Sequence, residues 1–268
     1  MRLLASFLLL ISSFANAEFI SIKPLETCFS CSSAPSPTFY KQGKDSKVLL
    51  IFIPGGSGYL ALNKLQNIDP QISEIYNQYS IFKGLNSLAN SNLTRGQIDF
   101  VALDSPIEYP LTRYPAERGG FDHMIRIESV IRFYKEKTGL PVWLIGHSNG
   151  GISLTEFFKY AKKNNKTDLI SGFIVSGVRS ETSFDPPYTF PMLFMHHEKD
   201  GCNDTLPKIS YANYEKVKSI SKFPTEFTYV TSGSATPNNP CLSGLHMYNG
   251  ASEEFSKYID EFIFKYSK

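Results

Sequence analysis

A mostly parallel β-sheet covered by helices on both faces, an α/β fold, is predicted by three features of the sequence. Short apolar runs recur along the chain, helical periodicity fills the intervals between them, and Gly or Pro punctuates the units. A strand with one wet face alternates apolar and polar residues. A run that is apolar throughout needs cover on both sides, which is the environment of a parallel sheet.

The first such run is KVLLIFIP (47–54), closed by Pro54 and the glycines of PGGSG. IDFVALD (98–104), PVWLIG (141–146), GFIVSG (172–177) and MLFMHH (192–197) repeat the pattern. TEFTYV (225–230) alternates less cleanly but is rich in β-formers. Helices are predicted where apolar residues fall at i, i+3, i+4 and i+7. Ile127, Val130, Ile131 and Tyr134 do so before Gly139-Leu140-Pro141 stops the helix. Leu154, Phe157, Phe158 and Ala161 do so next, and Phe255, Tyr258, Ile259 and Phe262 do so near the C-terminus. These units make one domain over 45–268. Residues 59–97 are too long for a plain crossover, so a cap or insert is expected there. The stretch between 177 and 192 is short and Pro-rich, which leaves 59–97 as the main source of any lid.

Composition narrows the function. At 42% hydrophobic and 19% charged the chain can bury a core, and a net charge of +2 with scattered Lys and Arg carries no nucleic-acid footprint. Residues 1–17, MRLLASFLLLISSFANA, have a positive start, a short apolar stretch and an Ala-Asn-Ala site, the pattern of a cleaved signal peptide. The run is too short to span a bilayer, which takes roughly 18 or more apolar residues, so no stable membrane insertion is expected. Export to the periplasm or beyond follows, with the mature chain starting near Glu18. An N-terminal segment, 18–44, then carries Cys28-x-x-Cys31.

The chemistry centres on LIGHSNGG (144–151), a G-x-S-x-G pattern. Ser148 stands where a strand meets a helix, and Gly146 and Gly150 clear room for a sharp turn. Such a turn lifts the hydroxyl above the sheet and aims the helix N-terminus at it. The bare pattern arises by chance; the strand–turn–helix placement makes Ser148 a candidate nucleophile.

A serine nucleophile needs a base to take its proton and an acid to orient that base, here in the chain order Ser, acid, His. Of five histidines only His246, in CLSGLHMYNG, follows every strand and precedes the last helix. His147 lies inside the turn and reads as packing or support, His196 and His197 close a strand and read as structural, and His123 opens a helix with no assigned role. For the acid, Asp200 leads from its position just past the 192–197 strand, with Glu198 and Asp204 as rivals. Backbone N–H groups of Asn149 and Gly56 are the expected oxyanion donors. A plain Gly-rich turn is the competing reading for residues 55–58.

The residues PGGSG, GHSNGG, HHEKD and GLH together resemble the α/β-hydrolase superfamily over about 45–266. The combination of LDSP, PVWLIGHSNGG, HHEKDGC and PCLSGLH is similar to exported bacterial serine hydrolases of undefined substrate. The resemblance implies an α/β-hydrolase fold and a hydrolase acting on esters or related acyl compounds, with a small-molecule or acyl-ester substrate. One departure is Pro54, which stands where many lipases and esterases have His before the oxyanion glycines.

The same triad also serves peptidases and amidases, and a silent binding protein could share the fold. Cys28-x-x-Cys31 sits in a Ser/Pro-rich stretch rather than at a helix start, which speaks against thiol–disulfide chemistry. No cluster has metal-ligand spacing, so neither metal nor cofactor is expected. The N-x-T sites at Asn92, Asn165 and Asn203 would matter only in a eukaryotic secretory pathway. If the triad forms, the loops after Asp200 and before His246 meet. A Cys202–Cys241 disulfide is therefore expected, leaving Cys28 to bond Cys31.

Overall fold

The computed structural model describes residues 17–26, 31–62, 80–89, 94–106, 111, 116–235, 239–241 and 244–267. Residues 1–16 of the expected signal peptide, Cys28, and 63–79 and 90–93 of the expected insert, with Asn92, lie outside them. Eight strands form one sheet in the order β1-β2-β4-β3-β5-β6-β7-β8. β3 (Val48–Ile53), β4 (Ile98–Leu103), β5 (Val142–His147), β6 (Gly172–Ser176), β7 (Met192–His197) and β8 (Thr225–Val230) are mutually parallel. β1 (Ala17–Ile22) and β2 (Ser36–Lys41) add an antiparallel edge, β2 pairing with β4.

The continuous apolar runs are explained by cover on both faces. In β3, Leu49, Ile51 and Ile53 face one core while Val48, Leu50 and Phe52 face the other, as a period of two requires. On the first face lie α2 (Phe121–Thr138), α3 (Asn149–Lys163) and α4 (Pro207–Lys218), through Ile127, Tyr134, Phe157, Phe158, Tyr214 and Val217. On the second lie α1 (Ser80–Ser87) and α5 (Ser252–Tyr266), through Ile81, Leu85, Phe255 and Ile259. Gly139 ends α2 in the left-handed conformation at φ 69°, and its N–H bonds the Lys135 carbonyl, the helix stop expected at Gly139-Leu140-Pro141.

Two elements carry weak sequence signals. β1 and β2 lie in the segment preceding the first apolar run. β2 is held by Thr38, whose hydroxyl bonds the Ile20 carbonyl, and by Tyr40, whose hydroxyl donates to Asp99 at 2.7 Å. Within the expected insert, α1 packs on the sheet and against α5 through Ile81, Phe82 and Leu85. No described helix is long and apolar enough to cross a membrane.

Candidate active site

β5 runs straight into the turn that presents Ser148. Its backbone adopts φ 54° and ψ −120°, a conformation that costs an L-residue on the order of 1–3 kcal/mol and that packing must hold in place. The flanking glycines are needed for space. A Cβ on Gly150 would stand 2.1 Å from the Ile53 carbonyl oxygen of β3, and one on Gly146 would stand 2.4 Å from the Gly150 oxygen. The Ser148 N–H bonds the Ser176 carbonyl of β6 at 2.9 Å, so two neighbouring strands lock the turn. Asn149 opens α3, which places the helix N-terminus beside the serine.

Past the end of β7, Asp200 is buried and its carboxylate meets His246. Nδ1 of His246 lies 2.7 Å from Oδ2. A carboxylate only accepts, so this ring nitrogen carries the proton in the neutral imidazole, which leaves Nε2 without one. The rivals point elsewhere: Asp204 pairs with Arg179 at 3.1 Å, and Glu198 pairs with Lys199 on the surface. His246 sits in a short 3-10 turn, Gly244–Met247, and its ring packs against that of His147 with centroids 4.7 Å apart. His147 directly precedes Ser148, so the Asp200–His246 pair and the serine turn meet at one sheet edge. Gly177, at φ 50°, lets them close up: a Cβ there would stand 3.0 Å from His147 and 3.4 Å from His246. Among the described residues no hydrogen bond joins the Ser148 hydroxyl to His246.

Side chains around the acid complete its cage. His196 Nε2 lies 2.9 Å from Asp200 Oδ2, and its Nδ1 lies 2.6 Å from the Ser210 hydroxyl. The Thr205 hydroxyl donates to the same Oδ2 at 3.0 Å, and the Cys202 N–H donates to Oδ1 at 2.8 Å. Burial alone would push Asp200 up, but the hydrogen bonds from His196, His246 and Cys202 outweigh it and hold the carboxyl well below its ordinary range. Burial keeps His147 neutral, helped by repulsion from His246, and burial likewise lowers His196 despite Asp200. The strand-end histidine read as structural thus touches the candidate acid, Asp200, directly. Its signal was available, since His196 and Asp200 stand four residues apart, but spacing does not show that a turn folds them together. His197 bonds away from Asp200 and His246, with Nε2 on the Ser232 carbonyl and Nδ1 accepting from the Lys199 N–H. His123 bonds Ser153 through Nε2.

Opposite the serine, the loop after β3 brings Gly55 against it. A Cβ on Gly55 would stand 2.9 Å from Ser148 Cβ. Gly56 has φ 53° with open space around it, so conformation rather than crowding calls for glycine there. The Asn149 side chain donates to the Gly56 carbonyl at 3.0 Å and ties the loop to the helix start.

Cys202 and Cys241 are disulfide-bonded, with Cα atoms 4.6 Å apart. Cys31 is also disulfide-bonded, whereas Cys28, its expected partner, lies outside the described residues. Among the described residues one compact group of metal-ligand types occurs, Cys202, Asp204 and Cys241, and its two sulfurs are bonded to each other. The 202–241 bridge anchors the acid loop to the histidine loop, and the Cys202 amide touches Asp200. Replacing both cysteines by serine is expected to lower stability by on the order of 3–4 kcal/mol in the chain-entropy model and to reduce turnover in a protein that still folds. Urea midpoints and turnover numbers of parent and variant check both; an unchanged turnover number would sever the bridge from the site.

No protein-family model matches the sequence, and no curated protein matches it. Solved structures do. An α/β serine hydrolase without lid from Xanthomonas campestris shares 9% identity at a TM-score of 0.59, covering 93% of this chain and 94% of that one. A dienelactone hydrolase from Anabaena variabilis shares 12% at 0.58, covering 93% and 98%. A hyperthermophilic esterase from Pyrobaculum calidifontis shares 14% at 0.58, covering 93% and 83%. The chain has the α/β-hydrolase fold.

Proposed function

We propose that this protein is an exported serine hydrolase that cleaves carboxylic esters through an acyl-enzyme. The observation that carries the reading is the serine held at φ 54° on a strand-to-helix turn, with a buried Asp200–His246 pair meeting it across the sheet edge. Ser148 Oγ attacks the ester carbonyl as its proton passes to His246 Nε2. Asp200 holds the imidazole in the tautomer that accepts that proton and stabilises the imidazolium. The carbonyl electron pair moves onto oxygen, where the amides of Gly56 and Asn149 receive it. His246 then protonates the leaving alcohol, and water, activated by the same imidazole, releases the acid. The lidless hydrolase, dienelactone hydrolase and esterase among the structural counterparts are consistent with this chemistry. Export is supported by the N-terminal sequence and by a disulfide built into the site.

Matched p-nitrophenyl esters and p-nitroanilides, over increasing acyl length, test the assignment. Ester turnover exceeding anilide turnover by more than a hundredfold is expected. Faster anilide cleavage would make the enzyme an amidase on the same residues.

A further inference from the structure

Arg118 has no place in the reaction above, yet it is fully buried directly behind the loop that faces Ser148. It stands in a short 3-10 turn, Glu117–Gly119, just before α2. Nη2 donates to the Gly56 carbonyl at 2.9 Å and to the Gly55 carbonyl at 3.2 Å. Nη1 donates to the Ser153 hydroxyl of α3 at 2.8 Å, and Ser153 pairs in turn with His123 Nε2 at 2.8 Å. His123 is kept neutral by burial first, and then by the Arg118 and Arg126 charges. One guanidinium therefore ties the β3 loop to the helix that follows the nucleophile.

A peptide unit is planar, and these two are trans, so each N–H points opposite to its own carbonyl. The Gly55 carbonyl shares its peptide with the Gly56 N–H, and the Gly56 carbonyl shares its peptide with the Ser57 N–H. Drawing both carbonyls toward Arg118 turns both N–H groups away from it. Gly55 lies against Ser148 Cβ on that loop, and Gly58 N–H closes the turn on the Gly55 carbonyl at 2.9 Å. Charge-assisted bonds to the carbonyls also polarise the same peptide units, which makes their N–H groups stronger donors.

We infer that Arg118 is a positioning residue for the oxyanion site: it aims and polarises the Gly56 and Ser57 amides without touching substrate. The inference rests on the serine-hydrolase reading and adds a residue to it. Arginine suits this role because a planar fork can bridge two carbonyls and a hydroxyl at once, which an ammonium point charge cannot.

The test uses the full-length mature protein, a short p-nitrophenyl ester, and an aryl trifluoromethyl ketone. The ketone forms a hemiketal with the serine: the Ser148 Oγ–carbon bond forms, the hydroxyl proton passes to His246, and the carbonyl pair becomes the oxyanion. Arg118→Lys and Arg118→Gln are expected to lower kcat on the order of 10–100-fold with KM within about threefold. Ketone affinity should fall by the same factor as kcat/KM, while the pH profile keeps its shape because the triad is untouched. A merely structural arginine would not link ketone affinity to kcat/KM in this way. A folded Arg118→Lys that keeps kcat and ketone affinity within threefold overturns the inference. Should neither variant fold, NMR of the parent decides. Hemiketal formation is expected to shift the Gly56 or Ser57 amide proton downfield together with the Arg118 guanidinium protons, and silent guanidinium protons overturn the inference. A parent that forms no hemiketal at Ser148 overturns instead the hydrolase reading beneath it.

Discussion

Replacing Ser148 with alanine is expected to remove nearly all ester hydrolysis, by a factor on the order of 10⁴ or more, while the protein stays folded. The reason for the first half is chemical. No other hydroxyl stands on the strained turn at the helix start, so no substitute nucleophile inherits the position. The reason for the second half is structural. Among the described residues the Ser148 hydroxyl makes no side-chain hydrogen bond, so its loss strands no buried partner, and alanine meets the same backbone geometry that serine does. A fluorophosphonate probe should label the parent at Ser148 and leave the variant unlabelled, with matching circular dichroism. Activity within tenfold of the parent would refute the nucleophile.

Asp200→Asn is expected to cost almost as much, on the order of 10³–10⁴ in kcat. Three donors converge on Oδ2, from His196, His246 and Thr205, and a fourth reaches Oδ1 from the Cys202 amide. A carboxylate accepts all four; a carboxamide offers one oxygen and one NH₂, so it sets donor against donor wherever it turns. His246 is then driven toward the tautomer with its proton on Nε2, which cannot accept from serine. Stability should fall too, by about 1–3 kcal/mol from the buried groups left without acceptors. The pH dependence follows in sign. The folded Asp200 carboxyl lies below its unfolded value of 3.8, so its stabilisation is complete above about pH 4 and is lost as pH falls through the lower folded value. The stability gap between parent and variant, measured by urea at pH 7 and pH 3, should therefore narrow at the acid end. A gap that widens would mean the carboxylate is not what the cage stabilises.

Much of the core sheet is legible in the sequence because its signals are local. Five of the six parallel strands are mostly apolar runs buried at every residue, since both their faces are covered, whereas β8 at the sheet edge is half-exposed and shows only its β-formers. The turn at Ser148 is legible because Gly146 and Gly150 are demanded by contacts within a few residues of it and by the passing β3 carbonyl. β1 and β2 escape such reading. They carry Ser, Pro and Thr, and β2 owes its place to partners far along the chain, such as Asp99 for Tyr40 and Tyr134 for Thr38. α4 is similarly faint: only Ser210, Tyr214 and Val217 of its residues are buried, and the rest are half-buried or exposed.

At the candidate site the division is the same. Residue types and chain order alone single out Ser148 and His246, because one elbow pattern and one late histidine exist to choose from. Choosing Asp200 over Glu198 and Asp204 is a matter of which side chain turns inward after β7, and three carboxylates within seven residues look alike until the loop folds. His196, Thr205 and Arg118 are decided by tertiary structure alone. Their roles depend on hydrogen bonds, with reach of about 3 Å, between groups brought together by different elements. Periodicity and glycine spacing record what the backbone must do locally. Hydrogen-bond cages record where side chains meet, and that is settled only when the sheet assembles.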